Sequence, residues 1–157
     1  MSKHAPVQKP ISGSSLRVAI VAARYNELYV GALLEQVCSA LKRAGVKARN
    51  LVIVRVPGSN ELPIACQLVA KKEKPDVAIA LGVIIRGDTI HYELIASAST
   101  EALQTVALER RIPVINGVVV AETEEQARER CLGAIDRGSE FAHAALAMAQ
   151  LKRAYSS

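Results

Sequence analysis

Residues Val77 to Ile85, VAIALGVII, form an unbroken apolar run rich in β-branched side chains, with no polar residue at either parity. A strand that can turn neither face to water belongs in the middle of a parallel sheet with helices packed on both sides. This run therefore restricts the chain to α/β architectures, and its neighbours fit that restriction.

Strand-like and helix-like segments alternate along the rest of the chain. Leu16 to Ala22 is a short apolar strand. Val30, Leu33, Leu34, Val37 and Leu41 then recur at helical spacing, Cys38 lies on the same stripe as core filler, and Gly45 supplies the stop. Leu51 to Val56 is a second strand, and a helix from about Glu61 to Lys72 ends before Pro75. After the Val77–Ile85 strand comes an Ala-rich helix from about Ile90 to Arg110, then a fourth strand from Val114 to Val120. Thr123 with Gln126 three residues on has the form of a capping box opening another helix. A last helix near Ser139 to Arg153 carries Phe141, Ala144, Ala145, Met148 and Leu151 on one face. The pattern predicts one doubly wound α/β domain over residues 16–157, a four-stranded parallel sheet flanked by helices, behind a flexible leader over 1–15. The leader is polar, with Pro6 and Pro10, and lacks the apolar stretch of a signal peptide. No apolar run reaches the ~18 residues of a membrane span, so the expectation is a soluble, cytoplasmic protein.

Composition narrows the ligand. Lys and Arg number 20 against 15 Asp and Glu, a net charge of +5, which favours anionic ligands. The basic residues are scattered, the densest groups being Lys71-Lys72 with Lys74, Arg110-Arg111 and Lys152-Arg153. Only 3% of residues are aromatic and Trp is absent, leaving little to stack on bases. A phosphorylated metabolite fits better than nucleic acid. Cys38, Cys66 and Cys131 are widely spaced, with no CxxC, and read as reduced thiols. With only three histidines (His4, His91, His143), no metal site is expected.

Ligands of an open parallel sheet bind outside the carboxyl ends of its strands. The connections at the opposite end are plain punctuation: Ala44-Gly45, Lys74-Pro75-Asp76, Arg111-Ile112-Pro113. Those at the carboxyl end are chemically rich: Arg24-Tyr25-Asn26, Pro57-Gly58-Ser59-Asn60-Glu61, Arg86-Gly87-Asp88-Thr89-Ile90-His91, and Asn116-Gly117. This asymmetry places the site. Arg86-Gly87-Asp88-Thr89 could seat a phosphate at a helix start, or be an ordinary turn with Asp88 or Thr89 as N-cap. His91, two residues on, can transfer protons near neutral pH, whereas Glu93 suits the first turn of a helix. The stiff loop Pro57 to Pro63 displays N–H groups, a hydroxyl and a carboxylate, suited to a polyhydroxylated or heterocyclic ligand. It could equally be a rigid turn capped by Ser59 or Asn60. Neither GxxxxGK[ST] nor GxGxxG occurs, so a nucleotide cofactor is not expected.

Taken in order, these loops resemble the lumazine synthase family. The resemblance rests on Arg24-Tyr25-Asn26, on Val56-Pro57-Gly58-Ser59-Asn60-Glu61-Leu62-Pro63, on Leu81 to Tyr92, on Pro113 to Val118, and on Glu125-Gln126-Ala127 through Arg130. It spans about Leu16 to Leu151 and implies a flavodoxin-like fold. It also implies a transferase that condenses 5-amino-6-(D-ribitylamino)uracil with 3,4-dihydroxy-2-butanone 4-phosphate in riboflavin biosynthesis, without cofactor or metal. By the same resemblance Tyr25 would stack on the pyrimidine, and Ser59, Asn60 and Glu61 would contact it and its ribityl chain. Val83, Ile84 and Ile85 would bind the heterocycle through main-chain groups. Asp88 and Thr89 would seat the phosphate and His91 would transfer protons. Asn116 and Arg130 would reach in from a neighbouring subunit, Arg130 pairing with the phosphate. A homopentamer or a multiple of it is implied, including an icosahedral capsid, with riboflavin synthase a further partner; the Ala-rich faces with Ala98, Ala102, Ala144 and Ala145 would allow close subunit approach.

Three positions depart from the family. Tyr25 stands where Phe or Trp is usual, Asn60 replaces a commonly aromatic residue, and Gly133 to Gly138 lacks the usual Gly-Asn-Lys turn and is one residue shorter, leaving Arg137 to stand in for the lysine. The competing readings are a riboflavin synthase of archaeal type, told apart by accepting lumazine as substrate, and a catalytically silent shell protein of the same fold.

Overall fold

The computed structural model describes residues 10–156. Four strands and five helices alternate: β1 (Val18–Ala23), α1 (Glu27–Arg43), β2 (Leu51–Val56), α2 (Leu62–Glu73), β3 (Val77–Ile85), α3 (His91–Arg110), β4 (Val114–Ala121), α4 (Glu124–Cys131) and α5 (Arg137–Tyr155). All strand pairs are parallel, in the order β2-β1-β3-β4. β3 has the bounds expected from its apolar run and sits inside the sheet, its first eight residues buried. Each large side chain taken from water contributes about 1.5–3 kcal/mol, and Val18, Ile20 and Val21 of β1 and Ile79 and Leu81 of β3 are among the largest fully buried ones.

The two faces of the sheet are covered by different helices, which makes the fold doubly wound. Val18, Ile20, Ile79 and Leu81 pack with Leu33, Val37 and Leu41 of α1 and with Ala142, Ala145 and Ala149 of α5. Ala19, Val21, Ala78 and Ala80, at the alternate parity, pack under Leu62 and Cys66 of α2 and Leu103 and Val106 of α3. Ala145 is thus wholly buried within its own chain and is removed from the surface expected for subunit packing, while Ala98 remains exposed. Gly138 allows α5 to cross α1 at close range. A Cβ there would lie 2.3 Å from Gln36 Cβ and 2.8 Å from Leu33 O, and its N–H donates to Gln36 Oε1 at 3.0 Å.

Helix ends deviate from expectation where capping chemistry intervenes. α5 begins two residues before Ser139, because Asp136 accepts from Ser139 N–H at 3.0 Å and also holds its hydroxyl. At α4, Thr123 accepts from Gln126 N–H as expected. The return bond, however, comes from the N–H of Glu122, one residue earlier than in a capping box. α2 and α3 end on Lys74 and Arg111 in the left-handed conformation, where glycine is the commoner residue. Of the leader expected over 1–15, residues 1–9, with His4, lie outside the described residues. Within the rest, Ile11 packs against the core and Gly13 is buried beneath Val46 and Leu146.

Candidate functional site

Strand order reverses direction at β1: the chain steps outward to β2, then back across to β3. Loops leaving β1 and β3 therefore diverge to opposite faces and open a crevice between them, the switch point at which α/β sheets bind ligands. A cavity of about 560 Å³ occupies this crevice, large enough for a drug-sized ligand.

Three loops build its walls. After β1, Asn26 takes a left-handed conformation (φ 57°) and its side-chain amide donates to Val83 O at 2.8 Å, tying the loop to the end of β3. Tyr25 N–H donates to Pro57 O at 2.9 Å, and its side chain, 75% exposed, stands free over the cavity. After β2, residues Ser59–Glu61 form a 3-10 turn whose capping comes from neither Ser59 nor Asn60. Instead the Glu61 carboxylate reaches back to accept from Gly58 N–H at 2.9 Å. Ser59 lies against β3 at Gly82, where a Cβ would meet its hydroxyl at 2.4 Å, so this turn rests directly on the sheet because residue 82 has no side chain. After β3, α3 starts with no side-chain cap; Thr89 Oγ1 lies 3.4 Å from His91 N–H and Asp88 makes no bond to the helix. First-turn N–H groups of an uncapped helix are an open seat for an anion.

Tyr25, Ser59, Asn60, Glu61, Val83, Ile84, Ile85, Thr89 and His91 all line this one cavity. Asp88 lies between Gly87 and Thr89 on the same loop but does not line it. Asn26, Gly58, Gly87, Tyr92 and Ile95 line it too and were not singled out from the sequence as contacts. Asn26 carried a signal, being a polar residue at a helix start, where left-handed backbone is tolerated by Asn. Two expected residues lie elsewhere. Asn116 on β4 pairs in register with Ala80, three residues short of Val83; its amide donates to Thr100 Oγ1 at 3.2 Å and its oxygen accepts from Val118 N–H. Arg130 on α4 donates to Gln126 O at 3.1 Å. Arg137 pairs with Glu140 at 2.6 Å at the start of α5.

Electrostatics around the mouth of the cavity are set by a cluster at the ends of β3 and β4. Arg86 pairs with Glu122 at 3.0 Å, and that hydrogen bond is the main reason its guanidinium holds its proton more firmly than usual. The Tyr92 hydroxyl is raised above the ordinary phenol range by partial burial and by its bond to Glu93. Among the described residues, no group of three or more His, Cys, Asp or Glu is placed to hold a metal ion, and no helix is long and apolar enough to cross a membrane. Burial raises all three thiols, Cys66 to about 12 and Cys131 to about 11.

The sequence profile of 6,7-dimethyl-8-ribityllumazine synthase matches residues 15–153. Among curated proteins the chain is similar to the 6,7-dimethyl-8-ribityllumazine synthases of Prochlorococcus marinus (43% identical, 90% of this chain and 92% of the relative), Halorhodospira halophila (43%, 87% and 88%) and Cupriavidus pinatubonensis (38%, 90% and 83%).

Proposed function

The chain belongs to the 6,7-dimethyl-8-ribityllumazine synthase family, and from that premise we propose that it condenses 5-amino-6-(D-ribitylamino)uracil with 3,4-dihydroxy-2-butanone 4-phosphate, releasing phosphate and water. The observation that carries this reading is the cavity itself. An exposed aromatic ring, a polar turn and an uncapped helix start with a histidine face one another at the switch point. One end suits a flat heterocycle with a hydroxylated chain, and the other suits a phosphate.

In this reading Tyr25 stacks on the pyrimidine, a contact of about 0.5–1.5 kcal/mol, and main-chain groups of Val83, Ile84 and Ile85 hydrogen-bond its edge. Ser59, Asn60 and Glu61 hold the ring and the ribityl hydroxyls. Thr89 and Asp88, with the N–H groups at the start of α3, hold the phosphate. The amine of the pyrimidine attacks the ketone and water leaves to give an imine. Loss of the proton from the adjacent hydroxyl-bearing carbon then expels phosphate and leaves an enol, which tautomerises to a ketone; the ribitylamino nitrogen adds to that ketone and a second water is lost as the ring closes. His91 moves the protons.

The same reading requires a second chain. A phosphate monoester brings close to two negative charges, yet the residues lining the cavity include no Lys or Arg. We propose that Arg130 and Asn116 of a neighbouring copy complete the site within a cytoplasmic homopentamer or a multiple of it. Exposed apolar side chains on the β4 side of the sheet, Ile90, Leu94 and Val120, support such a covered face. Mixing the two substrates with purified protein tests the function: lumazine absorbance should rise in step with released phosphate. Protein that yields neither product from both substrates would overturn the reading.

A further inference from the structure

We infer that Glu122 is a positioning residue for the phosphate-bearing substrate: its carboxylate holds both ends of the Arg86–Tyr92 segment that presents Thr89 and His91 to the cavity. The inference rests on the proposed reading of that segment as the phosphate seat.

The segment is otherwise poorly anchored. The Arg86 N–H donates to Ala121 O at 2.9 Å, closing the last rung between β3 and β4. Beyond it, among the described residues, no N–H of Gly87 to Ile90 finds a backbone partner, and the next such bond is Glu93 N–H to Ile90 O at 3.0 Å. Nothing lies within 4 Å of the place a Gly87 Cβ would occupy, and residues 86–91 are all exposed. A stretch with few buried contacts and few hydrogen bonds samples many conformations unless its ends are fixed. Glu122 fixes them. One carboxylate oxygen lies 3.0 Å from Arg86 Nη1, at the strand end of the segment. The other lies 3.3 Å from the Tyr92 hydroxyl at the helix end, where that hydroxyl is shared with Glu93 Oε1 at 3.0 Å. Glu122 is itself held, since its N–H donates to the Gln126 side chain at 3.0 Å on the first turn of α4.

The Arg86 and Glu122 side chains are half or more exposed, so the effect on stability is small. Its effect on placement is what counts, because the tethered residues are the ones that meet the phosphate. Glu122→Gln keeps the shape of the side chain and removes its charge; Arg86→Met keeps the stem and removes the guanidinium. Each should raise KM for the butanone phosphate roughly three- to tenfold while moving KM for the pyrimidine less than about twofold, with the melting temperature unchanged. The double variant should be no worse than the weaker single, as expected of partners in one interaction, and Tyr92→Phe should shift the same constant in the same direction. Equal movement of both KM values, additive effects in the double variant, or unchanged kinetics in all three would overturn the inference. Wild-type protein that releases no phosphate from the two substrates would overturn the functional reading instead, so the two failures are distinguishable.

Discussion

Gly82→Ala puts a methyl group between the sheet and the turn that bears Ser59, Asn60 and Glu61. On the existing backbone the new carbon lies 2.4 Å from Ser59 Oγ, 3.2 Å from Leu62 Cδ1 and 3.3 Å from Ser59 Cβ, where ordinary contact begins near 3.4 Å. Rotation of the Ser59 hydroxyl removes the worst overlap but leaves two carbon contacts too short, so the turn and the start of α2 must lift by a few tenths of an ångström. Overpacking of this kind costs about 1–3 kcal/mol. Alanine in a strand interior recovers about 0.5–1 kcal/mol of the glycine penalty, leaving a net loss between about zero and 2.5 kcal/mol. That corresponds to a melting temperature lowered by about 2–4 °C per kcal/mol at this chain length.

Calorimetry checks the stability and steady-state kinetics check the site. KM for the pyrimidine should rise several-fold, because in the proposed reading the displaced turn holds that substrate, with a much smaller change for the butanone phosphate. Adding Ser59→Ala removes the 2.4 Å contact but keeps the two carbon contacts, so it should restore only part of the lost stability. Gly87→Ala is the control: no atom lies within 4 Å of its Cβ, so stability should hold or rise slightly. A Gly82→Ala protein as stable as wild type, with unaltered kinetics, would refute the claim that the turn rests on the bare backbone of β3.

Three other outcomes are expected. His91→Ala should slow turnover by ~10-fold or more at unchanged stability, with residual activity; unaltered turnover at saturating substrate would remove His91 from the mechanism. Arg130→Ala should raise KM for the sugar phosphate far more than that for the pyrimidine, and, if the proposed homopentamer holds, assemblies re-formed from His91→Ala and Arg130→Ala chains should regain activity at interfaces that pair the two intact residues. Burial opposes ionisation of Asp76, but bonds from Arg153 and from the Arg17 N–H outweigh it and hold its carboxyl below the ordinary 3.8. This stabilisation is present above pH 3.8 and is lost as pH falls through the lower folded value, so the thermal destabilisation expected of Arg153→Ala at pH 7 should shrink steadily below pH 4.

The sheet was legible because its central strand can exist in few settings. Val77–Ile85 is apolar at both parities, and that fixes a covered, parallel position whatever the rest of the chain does. Helix starts were less legible, since they depend on which of several nearby polar groups captures a free N–H. Asp136 captured Ser139 and began α5 early, while the Gln126 side chain accepts from the N–H of Glu122 in place of the N–H of Thr123. The cavity-lining part of the site followed from the contrast between the two ends of the sheet, because strand direction alone sends those loops to one side. Tyr92 and Ile95 escaped notice as contacts because they lie on a helix, and only its entry angle decides which side chains overhang the cavity. Asn116 and Arg130 stand apart from it within one chain, and no pattern internal to the chain could bring them in.

The make-up of the cavity also limits what kind of catalysis it can offer. Apart from His91 and Glu61 its polar groups are hydroxyls, amides and main-chain N–H and C=O, and the Glu61 carboxylate is already engaged with Gly58. Such a site gains its rate chiefly by holding an amine and a ketone in register, an effect that reaches about 7–11 kcal/mol when the geometry is right, against roughly 3–5 kcal/mol for a general acid–base worth 10²–10⁴-fold. Proximity is therefore the larger lever, and it resides in the supports rather than in the reacting groups. In the proposed reading two such supports stand on opposite sides of the cavity: the bare backbone at Gly82, which seats the turn assigned to the pyrimidine, and the Glu122 carboxylate, which spans the loop assigned to the phosphate. Loosening either moves one substrate relative to the other. Loss of His91 leaves both in place, which is why its removal should slow the reaction without abolishing it.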